Sequence, residues 1–225
     1  IQVLNNQVIP GVEITKAYGD GSMWVKEGDL YVTRIANLIL GKEKGYVLDL
    51  KIPKVDKELK DCEKALKLAK AAVKINTLDD QVYEKTVELQ VQFINFTEDD
   101  IEEEKEDKDV MINFYRVKGA EVLSIANEFA QKSKFDDAKE VLKNFKEELQ
   151  GSIFNKETFV VNLIKDIDQA MKDTEPQVFF SGGMHNLIGN AKAQFQQQSY
   201  LQSANNYGGY MQAQMVVDLK NQKKV

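Results

Sequence analysis

The sequence predicts an α+β protein: an N-terminal antiparallel β-sandwich, then a helical bundle of three to four helices, then a polar tail. Three observations point there. Residues 1–55 alternate apolar and polar positions between glycine-rich turns. Residues 110–149 repeat apolar side chains at steps of three and four. From Gln177 to Val217 the only formal charge is Lys192, in a stretch rich in Gln, Asn, Tyr and Gly. The resulting division is 1–96 for the sandwich, 97–108 for an acidic linker, 109–198 for the bundle and 199–225 for the tail.

Composition narrows the function classes. The 225 residues suffice for one large domain or two small ones. A content of 43% hydrophobic and 29% charged residues is that of a globular chain. A net charge of -6 and a pI near 5.1 argue against a general nucleic-acid binder, which carries a basic face. No apolar run of about 18 residues occurs, so no membrane insertion is expected. No signal peptide is visible either. Cys62 is the one cysteine, so no intrachain disulfide can form. A reducing, cytoplasmic setting fits that, with cytoskeletal or ciliary association as an option. The first residue is Ile rather than Met, which points to a processed form or a piece of something longer.

The first strand candidates are 12–15, 23–25, 30–32, 35–40 and 46–50, with Trp24 expected in the sandwich core. Between them lie Gly19-Asp20-Gly21, Glu27-Gly28-Asp29 and Gly41-Lys42-Glu43-Lys44-Gly45, and Pro53 ends the last run. Closely spaced strands of this kind suggest a sandwich. Residues 55–76 carry two patterns. Leu59, Cys62, Leu66 and Ala69 step like a helix, whereas Ala69, Ala71, Val73 and Ile75 alternate against Lys70 and Lys74. A short helix running into a strand accommodates both. Val87, Leu89, Val91 and Phe93 then alternate cleanly with Glu88, Gln90 and Gln92, the best strand pattern in the chain.

Residues 97–109 hold nine acids and two lysines. Like charges repel, so the expectation is a solvated loop. A calcium site is the functional alternative, but the spacing matches no calcium loop and lacks its turn glycine.

The helical hairpin follows. Its first stripe is Val110, Phe114, Val117, Val122, Ile125, Ala126 and Phe129, and its second is Phe135, Ala138, Val141, Leu142, Phe145 and Leu149. The turn Gln131-Lys132-Ser133-Lys134 is short enough to force the two helices antiparallel. Arg116 and Lys118 lie among the apolar positions of the first helix. Arg116 is expected to snorkel or to pair with an acid of the sheet, with an anion site as the functional alternative. A third helix is expected over 155–173, striped by Phe159, Val160, Leu163, Ile164, Ile167 and Met171. Ser152 and Asn155 are its candidate caps and Pro176 its stop. A fourth runs over 184–196, with Met184, Leu187, Ile188, Ala191 and Phe195 on one face and Gly182-Gly183 permitting a sharp turn into it.

The tail is too polar to bury itself and too aromatic for a plain linker. Tyr200, Tyr207, Tyr210, Met211 and Met215 are the candidate partner contacts; they would lie across a groove of this protein or of another.

The inventory for catalysis is thin. His185 is the one histidine, and such a residue at a helix start is more often a packing or capping group than a base. One Cys and one His do not make a structural zinc site, and neither phosphate-loop glycine pattern occurs. The residues therefore call for no metal, no cofactor and no small-molecule substrate, and for no enzyme.

The order of parts resembles a known family. It is carried by Leu50-Lys51-Ile52-Pro53, the run from Val87 to Phe96, and Asp109-Val110-Met111-Ile112-Asn113-Phe114-Tyr115-Arg116. Ala126-Asn127-Glu128-Phe129-Ala130, Phe135-Asp136-Asp137-Ala138-Lys139, Gly182-Gly183-Met184-His185-Asn186-Leu187 and Gln196-Gln197-Gln198-Ser199 complete it. This layout resembles the C-terminal half of von Willebrand factor A (VWA) domain proteins of plants and ciliates. There a β-sandwich and a helical segment follow the metal-binding A domain. The resemblance implies a non-catalytic scaffold that supports an upstream A domain or docks it into a larger protein assembly. The family's Asp-x-Ser-x-Ser metal motif is missing: Asp20-Gly21-Ser22-Met23-Trp24 begins like it but has Trp in place of the second Ser. A RING finger, carried by some relatives, is excluded by the single cysteine. No metal-binding or catalytic residue carries over. Two other readings stand beside this one: a helical-repeat adaptor, for which no second repeat copy is visible, and a hydrolase using His185.

Overall fold

The computed structural model describes residues 1–3, 11–19, 24–35, 45–53, 66–77, 79–91 and 106–196. Antiparallel strands come first and helices follow, so the chain is α+β. It divides into a strand unit and a helical unit.

The strand unit holds β1 (Gln2–Val3), β2 (Glu13–Ala17), β3 (Val25–Glu27), β4 (Leu30–Val32), β5 (Leu48–Lys51), β6 (Leu66–Asn76) and β7 (Val82–Val91). A five-stranded antiparallel sheet has the order β3-β4-β1-β6-β7, and β2 pairs with β5 in a second, two-stranded sheet. Tyr31 on β4 links the two, its hydroxyl donating to the Ile14 carbonyl at 3.3 Å. The β3–β4 hairpin turns through Gly28 and Asp29, and Gly28 takes a φ of +61° that a side chain would disfavour.

The β6–β7 pair is a long ribbon. Its register shifts between Lys67 and Ala69. Such a bulge lets two consecutive residues turn to the same side, and Leu68 and Ala69 are both buried. At the far end Thr77 and Gln81 close the turn: the Thr77 N–H donates to Gln81 O at 2.9 Å and the Gln81 N–H to Thr77 Oγ1 at 3.1 Å.

Two expectations are corrected in this unit. Leu66 and Ala69 are strand, not helix, because the alternation of Ala69, Ala71, Val73 and Ile75 finds a full-length partner in β7; residues 54–65, where the rest of that helix was expected, lie outside the described residues. Trp24 is half-buried rather than core, since it precedes a strand exposed at every residue. The strand expected over 35–40 lies, beyond Ile35, outside the described residues.

The helical unit holds α1 (Lys108–Gln131), α2 (Phe135–Gly151), α3 (Thr158–Asp173) and α4 (Met184–Gln196), together with Tyr18, Gly19, Ile35 and residues 45–47. Asp107 from the acidic run caps α1, its carboxylate accepting the Val110 N–H at 3.0 Å. Helix α1 packs against α2, α3 and α4. It is therefore buried on several sides between Tyr115 and Ala130, whereas Val110 and Ile125, expected in its stripe, are exposed. The core is made by residues such as Leu123, Ala126, Leu142, Leu149, Leu163, Ile167 and Leu187, all with no exposed surface.

The α1–α2 turn is a Schellman closure. The Lys134 N–H returns to the Phe129 carbonyl and the Ser133 N–H to that of Ala130, both at 2.9 Å. Ser133 takes the left-handed position, with φ +59°. Ser152 and Asn155 do not cap α3, whose first position is preceded by Glu157 with no side-chain cap. They close α2 instead: Ser152 Oγ accepts from Phe154 N and the Tyr115 hydroxyl, and Asn155 Nδ2 donates to the Gln150 carbonyl at 2.8 Å. Pro176 follows the end of α3 and starts a short turn, Pro176–Val178, where its missing N–H costs nothing. The chain then runs through Phe179–Gly183 and kinks at Gly182, whose φ of +146° is non-helical, so the sharp turn into α4 falls at the glycine pair as expected. Gly183 is required there for a second reason: a Cβ on it would run into the carbonyl oxygen of Asp173.

Candidate interaction surface

The candidate surface is built by the register of the β6–β7 ribbon. Directly opposed residues of an antiparallel pair share a face. One face therefore carries Ala69, Ala71, Val73 and Ile75 against Leu89, Val87, Lys85 and Tyr83. The other carries Lys70, Ala72, Lys74 and Asn76 against Glu88, Thr86, Glu84 and Val82. The sequence thus folds into an amphipathic ribbon. Alternation of this kind ordinarily marks a strand with one face buried. Here the apolar face is buried only at Ala69, beside the bulge, and its far part stays in solvent: Val73, Tyr83 and Val87 keep 57%, 57% and 59% of their surface, and every residue from Val82 to Gln90 is exposed.

The polar face is electrostatically balanced. Lys74 lies across from Glu84 and Lys70 across from Glu88, and Lys67 Nζ reaches Glu88 at 2.8 Å. On the apolar face Lys85 lies across from Val73, between Tyr83 and Val87. It is the one charge in an otherwise apolar field of the ribbon.

The residues singled out from the sequence fall elsewhere. Tyr200, Tyr207, Tyr210, Met211 and Met215 lie outside the described residues, as does Cys62. His185 is exposed on the first turn of α4. Among the described residues no three His, Cys, Asp or Glu side chains are grouped to hold a metal ion, and no helix is long and apolar enough to cross a membrane.

Arg116 does not snorkel to the surface. It is buried in the helical unit, and its Nη2 donates to the Gly45 carbonyl at 3.2 Å. Burial lowers its pKa to about 10, still well above neutrality, so the buried group stays cationic. Lys118, two residues on and so on another side of α1, is tied to Glu148 at 2.6 Å, with its ammonium 5.4 Å from the Phe114 ring centre and 5.9 Å from that of Phe145. Both cations hold structure together. Asp166 on α3 is also perturbed: burial raises its carboxyl to about 6.

No family model, curated protein or solved structure matches the chain.

The alternation of Val87, Leu89 and Val91 was visible in the sequence, and so was that of Ala71, Val73 and Ile75. Their exposure was not, because periodicity reports which residues share a face and not whether anything covers it. Lys85 was the available signal: a lysine within an apolar series suits a solvent-facing edge better than a core.

Proposed function

We propose that this chain is a non-catalytic interaction and support segment of a VWA-type protein. It holds an upstream A domain in position or docks it into a larger assembly. The observation that supports this best is the exposed apolar face of the β6–β7 ribbon, centred on Val73 and Val87. Soluble monomers rarely leave contiguous apolar patches beyond roughly a few hundred Å² uncovered, and larger ones mark contact surfaces. The order of strands followed by four helices accords with the segment that the resemblance places after an A domain.

The test is site-specific photocrosslinking in native cells, with a photoreactive side chain at Val73 and a control at Ala72 on the polar face. The expected result is a discrete product from position 73, either to a partner or to an upstream part of the same protein, that disappears in a Val87→Glu background. Identical crosslinks from both positions, or none from position 73, would overturn the proposal.

A further inference from the structure

The ribbon has an edge as well as a face. Strand β7 ends the five-stranded sheet, and among the described residues no strand lies beyond it. An edge strand offers a row of backbone donors and acceptors to any extended chain, and proteins commonly guard such edges with a charge pointing into the apolar side. Lys85 occupies that position.

A guard of this kind also selects. A strand added antiparallel to β7 sets its side chains beside those of β7 on the same face. On the apolar face it would meet Tyr83, Val87 and Leu89, which favour apolar neighbours, and Lys85, which favours an acid and is penalised beside an apolar residue or another cation. A second copy of this chain does not meet that requirement. Antiparallel pairing of two β7 edges about a two-fold axis keeps the faces together. Lys85 would then face only Tyr83, Lys85, Val87, Leu89 or Val91, none of them acidic. The acids of β7, Glu84 and Glu88, lie on the opposite face, where β6 already supplies lysines.

Resting on the interaction role proposed above, we propose that the outer edge of β7 takes an antiparallel extended strand from a partner protein. On the shared face that strand is apolar except for one acidic residue across from Lys85. Backbone hydrogen bonds supply the affinity, and the acid–lysine pair sets the register.

The test uses the full chain and two synthetic peptides. Both place valines beside Tyr83, Val87, Leu89 and Val91, and alternate threonine and lysine on the other face. One carries glutamate across from Lys85 and the other lysine. The glutamate peptide should bind the parent protein at least about tenfold more tightly than the lysine peptide, a difference of about 1.4 kcal/mol. Lys85→Glu should reverse the preference. Amide exchange should slow in β7 and not in β2 or β5. Equal binding of the two peptides, an unchanged preference in Lys85→Glu, protection elsewhere, or no protection of β7 at millimolar peptide would each overturn strand addition. Lys85→Glu leaves Val73 and Val87 intact. Face-dependent crosslinking that persists while the peptides fail would therefore sink strand addition alone and leave the broader role standing.

Discussion

A buried cation is the most consequential single residue in the helical unit. Arg116 brings a guanidinium into the interior, where its Nη2 donates to the Gly45 carbonyl. Truncating it would remove the packing of its stem and leave that carbonyl without its donor, whereas an unbranched apolar chain would keep the volume and shed the cost of burying charge. Arg116→Ala should therefore cost about 2–4 kcal/mol, and Arg116→Met should stay within about 1 kcal/mol of the parent, in urea unfolding. An Arg116→Met variant as damaged as Arg116→Ala would mean that the charge itself is needed. Asp166 gives a pH signature. Its folded-state pKa is raised by burial to about 6, above the ordinary carboxylate range, so the native state holds the proton more tightly than the unfolded state. That contribution to stability is lost as pH rises through about 6 and regained as pH falls toward 4. Asp166→Asn should therefore melt above the parent at pH 7, with the gap narrowing by pH 4.5. A gap that stays constant with pH would show that the carboxyl does not titrate in this window.

At the level of elements, the helices were legible and the sheet only partly so. The hairpin of α1 and α2, the end of α3 and the span of α4 follow from period and breakers, because an amphipathic helix in a bundle is a local object whose stripe records its own packing. The cap of α3 was not legible: Ser152 and Asn155 are good capping residues in sequence, yet the preceding helix takes their side chains first. Two patterns overlapped in 55–76, and the longer pairing with β7 decided the strand. The turn into α4 was legible in Gly182-Gly183, where Gly182 takes a φ of +146°, whereas the close approach of Gly183 to the Asp173 carbonyl is tertiary and no local pattern encodes it. The α1–α2 turn yields a further prediction. Ser133 holds a left-handed φ of +59° that L side chains disfavour. Ser133→Gly should raise the stability of the helical unit by about 0.5–1 kcal/mol, and Ser133→Val, β-branched at the same φ, should lower it. Thermal melts followed at 222 nm would measure both. Destabilisation by glycine would mean that the serine side chain holds the turn.

Across the whole chain, burial is unevenly shared. The helical unit contains nearly all the fully buried apolar side chains among the described residues, from Ala120 through Leu187, whereas the five-stranded sheet contributes Leu68 and Ala69. Local stability follows buried apolar contact, so backbone hydrogen bonds in an exposed ribbon open far more readily than those in a packed helix. Deuterium exchange of the free protein should therefore be slow in peptides from Val117–Ala130, Ala138–Leu149 and Val160–Ala170 and fast over Val82–Val91, despite the long β6–β7 ladder. Partner binding to the ribbon would stabilise that region in proportion to the occupied fraction, so its exchange rate is itself a binding assay. Protection of the ribbon as strong as that of the helices in the purified chain would mean that the apolar face of Val73 and Val87 is already covered in solution, and the free surface on which the interaction role depends would not exist.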